Sequence, residues 1–264
     1  MSTSTDTPVL SADQLAQLDK DGYCITDILF DEATLKAIQS EFQRMWEEEI
    51  EAAEKSGDAA RIDFAHTKPF MSYLHLQSEA CKAFTQLPPF VNACRQILGP
   101  DVDMTWDQSI IKPPSEGKAF GWHQDAYYAV KGDYAKNAIP EDLVNPKKSI
   151  TFWCAITRTI VDNGTLWVVP GMHKQGLLPH VYNESTREWQ GQHDTSWKVP
   201  AVLKAGQVLV FTNCTPHGSG ANISKEIRMA YQIGYSVPGL VKSNSPLPLL
   251  RDNKACKELE LTAV

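Results

Sequence analysis

No Cys-x-x-Cys pair occurs in this chain, although it holds six cysteines. Cys24, Cys81, Cys94, Cys154, Cys214 and Cys256 are dispersed, which excludes a zinc ribbon or dithiol redox motif. Free thiols in a reducing cytoplasm are the expectation. Basic excess is missing as well: 25 Lys and Arg stand against 32 Asp and Glu, a formal net charge of −7. A phosphate backbone or an anionic bilayer is met by a basic surface, so neither nucleic acid nor membrane is expected as a partner. No apolar run approaches the roughly 18 residues that span a bilayer. The first ten residues lack both a positive charge and an apolar stretch, so no secretory signal is expected there. There is no internal repeat. There is also no βαβ alternation, which argues against a doubly wound sheet. Nothing in the sequence specifies an oligomeric state.

What remains is an ordinary globular composition, 42% hydrophobic and 22% charged over 264 residues. Residues 1–10 are Ser/Thr/Asp-rich and read as a disordered tail. Ser11 with Gln14 makes a capping box opening a short helix that stops near Gly22. Tyr23 to Phe30 reads as a strand. Asp31 to Lys55 reads as a helix, with Leu35, Ile38, Phe42, Met45 and Ile50 close to helical spacing and Gly57 at its end. Residues 78–98 form a second helical stretch, broken in two at Pro88-Pro89. After Gly99-Pro100 the character changes to short β-rich runs. These are Val102–Lys112, Trp122–Tyr128, Ser149–Thr157, Leu166–Val169, Val199–Leu203, Gln207–Thr212 and Arg228–Val237. Short, irregularly connected strands point to a mainly β fold of jelly-roll type, with the helices of 11–98 packed outside a β core over 99–237. One domain covers the chain.

Seven histidines are present, and only His123 has an acid two residues on, in Gly121-Trp122-His123-Gln124-Asp125. With 32 acids in 264 residues, about one such pairing arises by chance, so context has to carry it. On a strand, residues i and i+2 share a face, which would aim His123 and Asp125 together. An imidazole and a carboxylate are two ligands of a two-histidine, one-carboxylate metal site. His217, in Thr215-Pro216-His217-Gly218-Ser219 after a predicted strand, is the candidate third ligand. Such a triad leaves metal positions open for a bidentate 2-oxoacid and for dioxygen. Arg228, on the next predicted strand, offers a planar fork for a distal carboxylate.

His123-Gln124-Asp125, then Asn163-Gly164 leading into Pro170-Gly171-Met172-His173-Lys174, then His217-Gly218-Ser219 and Arg228, together resemble the phytanoyl-CoA dioxygenase family. The resemblance runs from about Gly99 to Val237 and is looser in the helices. It implies a double-stranded β-helix, cupin-like core and a 2-oxoglutarate-dependent non-haem iron oxygenase. The cofactors implied are Fe(II), 2-oxoglutarate and O2, and the substrate a small molecule. His123, Asp125 and His217 match the family's iron ligands. Arg228 and Ser219 match its oxoglutarate carboxylate site, and Gln108 falls where the family lines that site. Thr151 and Trp153 are further candidates for the same lining. The reaction implied is hydroxylation of a C–H bond with release of succinate and CO2. Desaturation, cyclisation or demethylation draws on the same chemistry. Halogenases related to the family have Ala or Gly in place of Asp125, so halogenation is not expected. A cupin-like metal enzyme that uses no oxoacid is the alternative, and Arg228 argues against it.

The segment 126–148 reads as an insertion forming a lid or substrate wall. No coenzyme A pocket is recognisable, so a CoA thioester is not inherited from the family's name. His66 and Lys68, in His66-Thr67-Lys68-Pro69, are candidate substrate contacts at the mouth of the site, or else a solvated loop. His75 is a candidate contact or a packing histidine. Trp122, Tyr127 and Tyr128 flank the His-x-Asp motif and are candidate pocket walls. His173 is expected in a structural turn, and His180 and His193 in a surface or substrate loop.

Overall fold

The structure is a computed structural model that describes residues 8–131, 145, 147–240 and 247–256. The expected disordered tail at 1–10 falls outside them up to residue 7, and the expected insertion falls outside them over 132–144 and at 146.

Local chemistry sets the helices. Helix α1 (Ala12–Asp21) opens on a complete capping box: Gln14 N donates to Ser11 Oγ at 3.2 Å, and Ser11 N donates to Gln14 Oε1 at 2.8 Å. Gly22, at φ +83°, closes it in the left-handed conformation. The reciprocal cap makes Ser11→Ala a mild lesion. It should cost about 1 kcal/mol of stability in urea denaturation, with no change in the folded core. After strand β1 (Tyr23–Ile25), helix α2 (Glu32–Ser56) starts at Asp31, whose carboxylate accepts from Thr34 N at 2.8 Å, and ends at Gly57. Its buried stripe of Leu35, Ile38, Phe42 and Met45 is the expected one. Helix α3 (Ala59–Thr67) was not expected. It is capped by Asp58, and it puts His66 on a helix rather than in a loop. Strand β2 (Phe70–Ser72), helix α4 (Glu79–Thr85) and helix α5 (Pro88–Leu98) follow. The break between the last two sits at Pro88-Pro89, as the imino residues demand, because proline fits the first turn of a new helix.

Two sheets face each other. The larger uses β1, β2, β3 (Val102–Lys112), β5 (Ser149–Ala155), β10 (Val208–Thr212), β12 (Arg228–Ser236), β13 (Leu247–Arg251) and β14 (Lys254–Ala255). Its order is β1-β10-β5-β12-β3-β13-β14, with β2 also on β3, and every pairing is antiparallel. The smaller sheet has the order β4-β11-β6-β9, from β4 (Phe120–His123), β11 (His217–Ser219), β6 (Leu166–Val168) and β9 (Val199–Pro200). A hairpin of β7 (His180–Asn183) and β8 (Glu188–Gly191) stands beside it. This open two-sheet arrangement is the expected jelly-roll class, without a closed barrel among the described residues.

Both faces of the large sheet are covered, so β12 is buried at all nine positions. Alternation sorts its side chains. Met229, Tyr231, Ile233 and Tyr235 join the helices in one core with Phe42, Phe84, Phe90 and Phe152. Ala230 joins a second core between the sheets, with Trp153, Phe211, Leu166 and Val168. Arg228 and Gln232 share the parity of Ala230 and so face the smaller sheet. The N-terminal segment is tied to that region too. Gly22 O accepts from Thr212 N at 3.0 Å and from Thr215 Oγ1 at 2.7 Å. A side chain at Gly22 would collide with His173 and Thr215, so both its φ and its surroundings require glycine there.

Candidate metal centre

The two histidines of the candidate triad are brought together by sheet register. His217 on β11 is the direct cross-strand partner of His123 on β4, and their ring centroids lie 4.2 Å apart. Each imidazole is oriented by a carbonyl two residues earlier. His123 Nδ1 lies 2.8 Å from Gly121 O, and His217 Nδ1 lies 2.9 Å from Thr215 O. A carbonyl only accepts, so each Nδ1 carries a proton and each Nε2 is the nitrogen turned to the site. Those Nε2 atoms lie 3.7 and 3.5 Å from Asp125 Oδ1. All three ligand atoms fall within 4.8 Å of one another.

Asp125 arrives by a route the sequence did not suggest. The expected strand Trp122–Tyr128 ends at His123, and helix α6 (Asp125–Lys131) opens at the carboxylate itself. Gln124 turns the chain out of the sheet. Its amide donates to Gly176 O at 2.8 Å and to Cys214 O at 2.6 Å, and accepts from Leu178 N at 2.8 Å. Strand alternation is therefore not what aims His123 and Asp125 together. The turn at Gln124 does this.

The electrostatics suit a cation. Burial, with His217 beside it, holds His123 down at about 3, so it stays neutral at any working pH. Burial pushes the Asp125 carboxyl up, but His217, His123 and the Thr151 hydroxyl outweigh it and hold the group below the usual carboxylate range. A neutral His123, an ionised Asp125 and the His217 Nε2 converge, and such a donor set fits Fe(II).

A cavity adjoins the triad, lined by Phe70, Gln108, Ile110, Phe120, Trp153, Leu166, Ser219, Arg228 and Gln232 along with both histidines. Arg228 is 1% exposed and meets no carboxylate among the described residues. Its Nη atoms donate to Ile110 O at 3.2 Å and Gly164 O at 3.1 Å, its Cζ lies 5.3 Å from the Trp153 ring centroid, and Nε has no partner. Burial pushes it down to about 9, which leaves it charged at neutral pH. A buried cation with an orphaned donor fits the distal carboxylate of 2-oxoglutarate. Lys112, also buried, donates to the carbonyls of Lys118 and Gly220 and ties down the loops beside this pocket.

The remaining sequence candidates divide. Gln108, Trp153 and Ser219 line the cavity with Arg228. Thr151 lies under the triad, its Oγ1 donating to Asp125 Oδ2 at 2.9 Å. Tyr128 sets its ring against His123 at 5.4 Å, while Tyr127 stacks on His180 at 3.9 Å and Trp122 meets His193 edge-on at 5.8 Å. Lys68 sits 4.1 Å over the Phe120 ring, at the cavity wall, and pairs with Glu188 on β8. Two candidate substrate residues are elsewhere. His66 lies on the helical side, 3.3 Å from Glu54 Oε1, and is held there by the unexpected helix α3. His75 is on the opposite face of β3 from the cavity, its Nδ1 2.5 Å from Asp107 Oδ1, since Asp107 and Gln108 point to opposite sides of one strand. His173, as expected, is in a turn, bonded to Asp19 O at 3.2 Å. Sequence reasoning missed Gln232, whose Nε2 donates to Asp125 Oδ2 at 3.2 Å. A polar residue in a buried apolar strand, in phase with Arg228, is the signal that identifies it.

Known proteins with this arrangement bear on its chemistry. The chain matches the family model of phytanoyl-CoA dioxygenase (PhyH) over residues 18–230. Ectoine dioxygenase of Bordetella bronchiseptica is 28% identical over 237 residues, covering 81% of this chain and 71% of its own. Peroxisomal phytanoyl-CoA dioxygenase of Homo sapiens is 24% identical over 241 residues, covering 85% and 68%. Among solved structures, the non-haem monooxygenase ThoJ in its apo form superposes with a TM-score of 0.67 at 24% identity, over 91% of this chain and 85% of that one. EctD from S. alaskensis with 2-oxoglutarate and 5-hydroxyectoine gives 0.65 at 21% identity, over 89% and 79%. The chain belongs to the phytanoyl-CoA dioxygenase (PhyH) family of 2-oxoglutarate-dependent non-haem iron oxygenases.

Proposed function

We propose that this protein hydroxylates an unactivated C–H bond of a small-molecule metabolite, with conversion of 2-oxoglutarate to succinate and CO2. His123, Asp125 and His217 hold the Fe(II), and Arg228 with Ser219 takes the distal carboxylate of the oxoglutarate. Gln108 and Trp153 form the pocket around it, and residues 1–264 act as a single dioxygenase domain. The observation that carries this reading is Arg228, a buried guanidinium with a free donor beside three converging ligand atoms. A metal enzyme working without an oxoacid has no use for that cation.

When bound, iron and oxoglutarate supply the oxidising chemistry. The chain's own residues supply position and shelter. Gly121 and Thr215 fix the imidazole tautomers. Thr151 and Gln232 occupy Asp125 Oδ2 and leave Oδ1 toward the histidines. Phe70, Phe120, Ile110 and Leu166 line the cavity with apolar carbon and exclude water from it. That lining suits an aliphatic C–H group rather than a charged one. Tyr128, against His123, closes one side. Desaturation, cyclisation and demethylation remain alternative uses of the same site.

Among the described residues no helix is long and apolar enough to cross a membrane. The five described cysteines from Cys24 to Cys214 are buried and free, and this supports a cytoplasmic location. The test is succinate formation by the protein supplied with Fe(II), ascorbate and 2-oxoglutarate, screened against a metabolite collection for stimulation. Substrate-stimulated succinate is expected. Failure to bind oxoglutarate at millimolar concentration overturns the reading.

A further inference from the structure

Asp125 presents its two oxygens to different partners. Oδ1 faces the imidazole Nε2 atoms, while Oδ2 accepts from Thr151 Oγ1 at 2.9 Å and from Gln232 Nε2 at 3.2 Å. The single Thr151 proton also reaches Asn213 Oδ1, at 3.1 Å, so Gln232 is the donor that Asp125 Oδ2 does not share in this way. The contact also fixes the Gln232 amide. An ionised carboxylate only accepts, so nitrogen must face Asp125, and Gln232 Oε1 must face the other way. That oxygen accepts from Gln108 Nε2 at 3.4 Å. Gln108 and Gln232 are direct cross-strand partners on β3 and β12, and both line the cavity that holds Arg228. Gln232 is 4% exposed, so water does not substitute for these bonds at low cost.

We infer that Gln232 is a positioning residue that selects the Asp125 oxygen offered to the metal and, through Gln108, couples that selection to the oxoglutarate pocket. This rests on the metal-centre reading above. A carboxylate with neither oxygen engaged rotates about its terminal torsion and offers either one, or both, to an ion. With Oδ2 held by Gln232, and by Thr151 when its proton points there, Oδ1 is left in the site. A ligand that draws Gln108 toward the cavity lengthens the bond to Gln232 and alters how firmly Gln232 holds Asp125. Ordered outer partners of this type change metal affinity by about 10–100-fold when removed.

Co(II) alone serves as a spectroscopic stand-in, titrated into the full chain with no substrate present. Gln232→Met keeps the length and removes the donor. It should weaken Co(II) binding about tenfold and shift the Co(II) visible spectrum. Gln108→Met removes the bond to Gln232 Oε1, so it should weaken Co(II) binding by less than Gln232→Met does and also weaken oxoglutarate binding to the Co(II) form. The double variant should lose less oxoglutarate affinity than the two losses combined. Wild-type Co(II) affinity and spectrum in Gln232→Met overturn the inference. If that variant is unstable, Gln232→Leu also lacks the donor and serves in its place. It should weaken Co(II) binding likewise, and unchanged affinity again overturns the inference. His217→Ala separates the two readings: if it still binds Co(II) as wild type does, the metal-centre reading itself fails.

Discussion

His217→Ala should abolish oxoglutarate turnover and metal binding while the protein stays folded. The histidine offers one of the three candidate ligand atoms, and no other described His, Cys, Asp or Glu stands close enough to replace it. The loss should exceed the roughly 10–100-fold that follows from removing an outer partner of a ligand. The structural cost is smaller. His217 is buried against Phe211, at 4.7 Å between ring centroids, and truncation leaves a void worth about 1–3 kcal/mol. In a chain of this size that lowers the thermal midpoint by about 2–4 °C per kcal/mol. Circular dichroism should therefore report a native fold where calorimetry with Co(II) reports no binding. Activity that survived the change with an identified substrate would show that the triad is wrongly assigned.

Arg228 should separate function from stability in opposite directions. Truncating one member of a buried, hydrogen-bonded charge pair costs about 2–5 kcal/mol. For Arg228→Ala that means oxoglutarate affinity weakened roughly 30-fold or more, since about 1.4 kcal/mol is a factor of ten. Without oxoglutarate, however, the guanidinium is a buried charge with no acid beside it among the described residues. Burial penalises it by several kcal/mol, and an apolar replacement of similar volume is often neutral or stabilising. Arg228→Met should accordingly melt at or above the wild-type midpoint in the metal-free state. Oxoglutarate with Co(II) should raise the wild-type midpoint, because it binds the folded state only, and leave the Met variant unmoved. Arg228→Lys should fall between the two, keeping the charge but losing the two-pronged geometry. A Met variant that is stabilised by oxoglutarate as strongly as wild type would remove Arg228 from the co-substrate site.

The parts of this protein that were legible in its sequence are those determined locally. Ser11 with Gln14, Asp31 with Gly57, and Pro88-Pro89 carry their capping chemistry within a few residues, and the helices begin and end there. Strands β3, β5, β10 and β12 were legible because each runs five residues or more and is rich in β-branched and aromatic residues. Strand β11 is only three residues long, and β7 and β8 are partly exposed, so neither length nor alternation marks them. At the site, His123 and Asp125 stood out only with the help of family resemblance. Their meeting with His217 depends on register between strands distant in sequence, which no local pattern encodes. The turn at Gln124 was missed for the same reason, because its three hydrogen-bond partners come from residues 176, 178 and 214.

Gly22 and its neighbours have a practical consequence for anyone reshaping this enzyme. The carbonyl of Gly22 holds Thr215 through its hydroxyl, and the carbonyl of that same Thr215 fixes the His217 ring. His173 and Gly171 grip the end of α1 from the other side, through Asp19 O and Asp21 O. The leading helix is thus one residue removed from a candidate metal ligand, although it lies outside the two sheets. Cutting the chain back to its β core, an attractive shortcut for engineering a smaller oxygenase, would leave His217 without the anchor that sets its angle.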